Sequence, residues 1–66
     1  MIVERDAYVW VCPEGYAELS TLATTEVNCL AITELLHSKG LGKSELELRC
    51  RGFTIKKVCL TIIEQL

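Results

Sequence analysis

Four basic residues, Arg49, Arg51, Lys56 and Lys57, fall within the nine-residue stretch RCRGFTIKK, which contains no acid. The residues before it carry three basic and eight acidic side chains, and the whole chain has a net charge of −2. Positive charge collected locally on an acidic chain suits an anion such as a phosphate. Arginine forks and lysine ammonium groups supply charge-assisted, salt-sensitive contacts to a nucleic-acid backbone. If Lys56 and Lys57 open a helix, its N-terminal N–H groups and dipole add to the attraction. Gly52 and Phe53 lie between the two charge pairs, and an exposed Phe53 could stack on an unpaired base. The candidate nucleic-acid-binding set is therefore Arg49, Arg51, Gly52, Phe53, Lys56 and Lys57. The competing reading is a solvated turn, in which the arginines pair with Glu45 and Glu47 and Phe53 caps the core. The overall negative charge gives no long-range attraction for polyanions.

Other chemistry finds little footing. The cysteines at 12, 29, 50 and 59 form no CxxC pair, and His37 is the single histidine. Structural zinc sites bring their ligands in close pairs, so neither a metal nor any other cofactor is expected. VCPEG at 11–15 follows a strand-like run but lacks the second thiol of a redox site. Gly40 and Gly42 have neither dinucleotide-binding nor P-loop spacing. His37 fits a charge–dipole role at a helix end. No enzyme is expected. Cys50 and Cys59 fall in apolar patterns and are expected as buried, reduced thiols in a cytoplasmic or nuclear protein. No apolar run approaches the ~20 residues that span a bilayer, and no leader pattern opens the chain.

The elements that would position these residues follow from periodicity. The 66 residues, half of them hydrophobic, form one domain, 1–66, at the small end of what folds alone. Ala7–Cys12 (AYVWVC) is aromatic and β-branched and closes on Pro13–Gly15, which predicts a strand and a turn. Met1–Val3 either extends that strand or forms a separate piece, and residues 16–23 have no decided pattern. Thr24 or Thr25 offers an N-cap for a helix over about 24–38, with Val27, Leu30, Ala31 and Leu35 as its stripe and Gly40 as its stop. From Glu45 to Arg51 the chain alternates, Leu46, Leu48 and Cys50 against Glu45, Glu47, Arg49 and Arg51, which predicts a strand. Gly52 breaks it. Ile55, Val58, Cys59, Ile62, Ile63 and Leu66 then recur at helical spacing, with Thr54 as N-cap. The predicted order is strand, helix, strand, helix, the strands parallel and joined by a right-handed crossover. Two strands make a poor sheet, so N-terminal residues or a partner chain are expected to complete it.

LELRCRGFTIKKV, residues 46–58, resembles the signature of the Alba family of DNA- and RNA-binding proteins, in which a strand runs into a basic residue, a glycine, a short turn and a helix. Arg51, Gly52, Ile55, Lys57 and Val58 match that pattern, and CLAITELLHSKGLGKSELELR resembles the family's first helix, glycine stop and second strand. The chain is similar also to the Alba-like subunits of the RNase P and MRP ribonucleoproteins. The resemblance implies a small α/β fold, a β-α-β-α Alba-like two-layer sandwich, divergent and shortened because the family's hairpin after the second helix is missing. The loop 13–25 also lacks the family's lysines, and Phe53 stands where relatives are often basic. The implied function is a small nucleic-acid-binding subunit, RNA before DNA, acting as a homo- or heterodimer or within a ribonucleoprotein, with no membrane partner. The alternative is a protein-interaction module that makes no nucleic-acid contact and adds its open sheet edge to a partner's sheet.

Overall fold

A computed structural model of the chain describes residues 2–63. It is a small α/β protein of order β-α-α-β: strand β1 (Ile2–Val11), a single 3-10 turn (Leu19–Thr21), helix α1 (Glu26–Ser38), helix α2 (Glu45–Cys50) and strand β2 (Thr54–Ile63). β1 and β2 are antiparallel, paired over their full ten residues from Ile2 opposite Ile63 to Val11 opposite Thr54.

The first half matches the sequence pattern. β1 takes in Ile2 and Val3, and Gly15, at φ +95°, donates its N–H to the Cys12 carbonyl at 2.9 Å to close the turn after the strand. Thr25 caps α1, its side chain accepting from the Asn28 N–H at 3.0 Å. At the other end Gly40, with φ +73°, donates to the His37 carbonyl while Leu41 donates to Leu36, the paired bonds of a Schellman motif. The inward face of α1 differs from the expected stripe. Val27 and Leu35 are exposed, whereas Cys29 and Thr33, one turn apart, are buried.

The second half corrects the expected order. Residues 45–50 form α2, not a strand. Ser44 accepts from the Glu47 N–H at 3.3 Å, and the S-x-x-E spacing of Ser44 and Glu47 is a capping-box pattern. Two acids in the first turn and Arg49 in the last suit the helix dipole. Residues i and i+2 point to different sides of a helix, so Leu48 alone is buried and Leu46 and Cys50 face solvent. Residues 54–63 form β2, not a helix; the expected helical positions beyond Ile63 lie outside the described residues. Six of the ten, Thr54, Ile55, Val58, Thr61, Ile62 and Ile63, are β-branched, which favours a strand where periodicity also fitted a helix. With both helices between the strands, no parallel crossover forms. Cys59, expected in the core, is exposed.

The core centres on Trp10, 0% exposed, packed with Cys29 and Leu48 and flanked by Tyr8, Ala23, Leu30, Phe53 and Ile55. By area, burying such a side chain contributes at most about 4–6 kcal/mol. Its indole Nε1–H donates to Thr33 Oγ1 at 2.8 Å, and the Thr33 hydroxyl donates to the Cys29 carbonyl at 2.8 Å. On the backbone side, the Trp10 N–H donates to Thr21 Oγ1, which itself donates to the Glu18 carbonyl. Each polar atom brought in with the ring thus has a partner, as a dry site demands. Directly opposed strand residues share a face, so Tyr8, Trp10 and Ile55 place the helices on one face of the sheet. Ten strand residues span ~34 Å against ~20 Å for the thirteen of α1. The end of the ribbon built from Ile2–Asp6 and Cys59–Ile63 therefore runs past the helices, in a molecule 41 Å long.

Candidate interaction surface

The corrected fold distributes the predicted basic stretch over α2, the turn that follows it and β2. Arg49 lies on α2, where its Nε donates to Glu45 Oε2 at 3.0 Å and its guanidinium sits 5.0 Å from the centroid of the Trp10 ring. Part of its donor set and one face are thus committed to its own helix and to the core. Arg51 is the C-cap of the same helix, its N–H shared between the Glu47 and Leu48 carbonyls and its side chain exposed. Gly52, at φ +86°, and Phe53 close α2 through a second Schellman motif, donating to the Arg49 and Leu48 carbonyls. Phe53 is half-buried against the Trp10 cluster rather than presented on a turn.

Lys56 and Lys57 stand on β2, so no helix N-terminus lies beneath them. Lys57 shares the Tyr8 face and meets Asp6 Oδ2 at 3.4 Å, while Lys56, opposite Val9, projects from the other face. Among the described residues the six candidates form no common pocket. Arg49, Gly52 and Phe53 converge on the end of α2, Arg51 lies at its rim, and the two lysines diverge.

A cavity of about 170 Å³ opens elsewhere, between the 3-10 turn, α1 and the loop before α2, lined by Thr21, Thr33, Leu36, Lys43, Leu48 and Phe53 among others. It falls below the ~300 Å³ at which small-molecule sites begin, and the hydroxyls of its lining residues Thr21 and Thr33 already have partners. No group of three or more His, Cys, Asp or Glu residues among the described ones is placed to hold a metal ion. Burial raises the Cys29 thiol above its ordinary 9.0, against a smaller opposing effect of the Thr21 hydrogen bond, so this thiol is held protonated and inert.

One edge of the sheet leaves a row of backbone groups without a strand partner among the described residues. Tyr8 exchanges hydrogen bonds with Ala23 at 2.7 and 3.0 Å, the Trp10 carbonyl accepts from Glu18 at 2.8 Å, and Cys12 donates to Tyr16 at 2.9 Å. The backbone groups of Tyr8, Trp10 and Cys12 thus face segment 16–23, and the odd-numbered groups of β1 face β2. By the alternation of an antiparallel ladder, Thr54, Lys56, Val58, Leu60 and Ile62 bond to β1. Ile55, Lys57, Cys59, Thr61 and Ile63 then direct their N–H and C=O groups outward. Among the described residues no strand pairs with that edge, since the sheet has two strands. Near its end Ile62 and Ile63 are 47% and 65% exposed. Sequence periodicity missed this edge because it assigned the segment to a helix. The β-branched content of TIKKVCLTII was the signal that could have found it.

No protein-family model, curated protein or solved structure matches this chain. Among the described residues no helix is long and apolar enough to cross a membrane.

Proposed function

We propose that this chain is a protein-interaction module that binds by adding the outer edge of β2 to the sheet of a partner. The open ladder of Ile55, Lys57, Cys59, Thr61 and Ile63 carries the reading. A two-stranded ribbon is marginal alone, and an exposed, apolar, uninterrupted edge is a template for another strand. Main-chain hydrogen bonds supply affinity in such pairing, and the side chains flanking the edge supply selectivity. Lys57 is the one charged side chain among the outward-bonding residues, a light guard for an edge of this length.

Two proline substitutions test the reading. Thr61→Pro removes an outward N–H and leaves the bonds to β1 in place, whereas Leu60→Pro removes an inward one. Thr61→Pro should keep the fold and abolish assembly, while Leu60→Pro should destabilise the ribbon itself. Unchanged assembly of a folded Thr61→Pro protein would remove the proposal.

A second reading, an RNA- or DNA-binding subunit, draws support from Arg51 and Lys56, which make no ion pair among the described residues. Under it, Arg51→Ala with Lys56→Ala lowers affinity for unrelated sequences by similar factors and flattens the salt dependence by about two contacts. Binding by the double variant equal to the parent's removes it.

A further inference from the structure

The outer edge of β2 is complementary to itself. We infer that the partner is a second copy of this chain, with β2 paired antiparallel to β2 about a two-fold axis through Cys59, giving a four-stranded sheet of order β1-β2-β2-β1. The inference rests on the edge-pairing reading above and specifies its partner and register.

Symmetry and the ladder restrict the choices. Residues opposed across a two-fold axis have numbers of constant sum, and outward-bonding residues must meet outward-bonding residues, so the axis passes through one residue of β2. An axis at Lys57 sets Lys57 directly against Lys57 of the second copy, a destabilising like-charge pair. An axis at Val58 brings the second copy's Lys57 beside Cys59, whose other neighbour, Asp6, is already engaged by the chain's own Lys57. An axis at Leu60 sets Lys57 against Ile63, beside Ile2, with no carboxylate among the described residues directly across from it.

The axis at Cys59 satisfies every position. The second copy's Lys57 opposes Thr61, and Thr61 is flanked on its other side by Glu4, which has no ion pair among the described residues. Glu4 and that lysine are then two strand spacings apart, ~9.5 Å, on one face, with the short Thr61 side chain between them. Each Lys57 then lies between Asp6 of its own chain and Glu4 of the second copy, so one ammonium offsets two carboxylates, whereas the axis at Val58 sets two lysines about one Asp6 and leaves Glu4 without a cation. Ile63, two-thirds exposed in the single chain, comes to lie beside Ile55 of the second copy at the margin of its Trp10 core. On the other face Val58 and Leu60, both half-buried, meet Leu60 and Val58 of the second copy across the seam. Among the described residues no like charges are opposed.

The axis places the two Cys59 residues as a hydrogen-bonded pair with Cα atoms ~5.5 Å apart, within disulfide reach. This supplies the test on the full chain carrying Cys12→Ser and Cys50→Ser, which leaves Cys59 and the buried Cys29. With oxidised glutathione as oxidant, the two Cys59 thiols lose two protons and two electrons to form one S–S bond, and one glutathione disulfide becomes two glutathione thiols. We expect a dimer by sedimentation at tens of micromolar, near-complete linkage through Cys59 in the folded protein, and a Kd weakened tenfold or more by Thr61→Pro, which deletes two symmetry-related hydrogen bonds. A protein that sediments as a monomer at these concentrations, or a dimer whose Cys59 forms only mixed disulfides with glutathione, overturns the inference. A monomer whose Thr61→Pro variant loses binding to a different protein refutes self-pairing and leaves the edge reading standing. A dimer untouched by Thr61→Pro refutes both.

Discussion

Thr33→Val probes the centre of the core. Valine keeps the branched shape of threonine but removes the oxygen that accepts the Trp10 Nε1–H at 2.8 Å. Trp10 is 0% exposed and Thr33 1%, so water cannot replace the lost acceptor without opening the site. A buried donor left without a partner costs about 1–3 kcal/mol. The Cys29 carbonyl also loses the hydroxyl bond, but it retains its bond within α1, so this adds little. For 66 residues the total stability is on the order of 3–10 kcal/mol, and a 2 kcal/mol loss would lower Tm by roughly 8–16 °C. Urea unfolding followed by far-ultraviolet circular dichroism, a backbone signal that serves variants without Trp10 as well, reads the change directly, at fixed protein concentration because association contributes to stability. Trp10→Phe removes the donor and leaves Thr33 bonded to Cys29. In that background Thr33→Val should therefore cost no more than about 0.5 kcal/mol, the difference being the coupling energy. An equal cost in both backgrounds, or none in either, would refute the hydrogen-bonded core described above.

Gly52→Ala should destabilise more than Gly15→Ala by about 1–3 kcal/mol in chemical unfolding. Both sites have positive φ, but a Cβ at Gly52 comes within 2.9 Å of Pro13 Cγ, whereas one at Gly15 meets nothing within 4 Å. Lys57→Ala should change the stability of the single chain by less than about 1 kcal/mol, because its contact with Asp6 is between two exposed groups. Cys50 should react promptly with a thiol reagent in the native protein and Cys29 only in denaturant, read by mass spectrometry after timed labelling. Since the folded Cys29 pKa is raised, the unfolded chain loses this proton first; stability should fall as pH rises above about 9, and Cys29→Ala should remove that part of the alkaline loss.

The parts of the fold legible in the sequence were those where pattern and local chemistry agreed. β1 and its turn, Thr25 as the cap of α1 and Gly40 as its stop all combine a period with a specific end signal. Between 45 and 63 the two signals conflicted. ELELRC alternates like a strand, yet Ser44 and Glu47 cap a helix, and Gly52 ends it in the left-handed conformation. IKKVCLTII repeats like a helix, yet its β-branched residues match the strand to which tertiary pairing with β1 commits it. Period over six to ten residues does not separate these states; caps and side-chain branching weigh more. Thr33 escaped notice because a polar residue is not expected to face inward, and only the indole N–H of Trp10 explains its position. The basic stretch was visible as composition, but its convergence required a strand-to-helix turn. The chain makes a helix-to-strand turn there, and the charges separate.

Site-resolved amide exchange along β2 tests the central claim, an outward-bonding edge that a second strand covers. In dilute protein the amides of Lys56, Val58, Leu60 and Ile62 should be protected by β1, and those of Ile55, Lys57, Cys59 and Thr61 should exchange freely. As concentration rises into the dimeric range, the second set should slow toward the first and the alternation should fade. Uniform protection of consecutive residues at every concentration, as in a helix, or outward amides that stay fast in the assembled protein, would contradict the account.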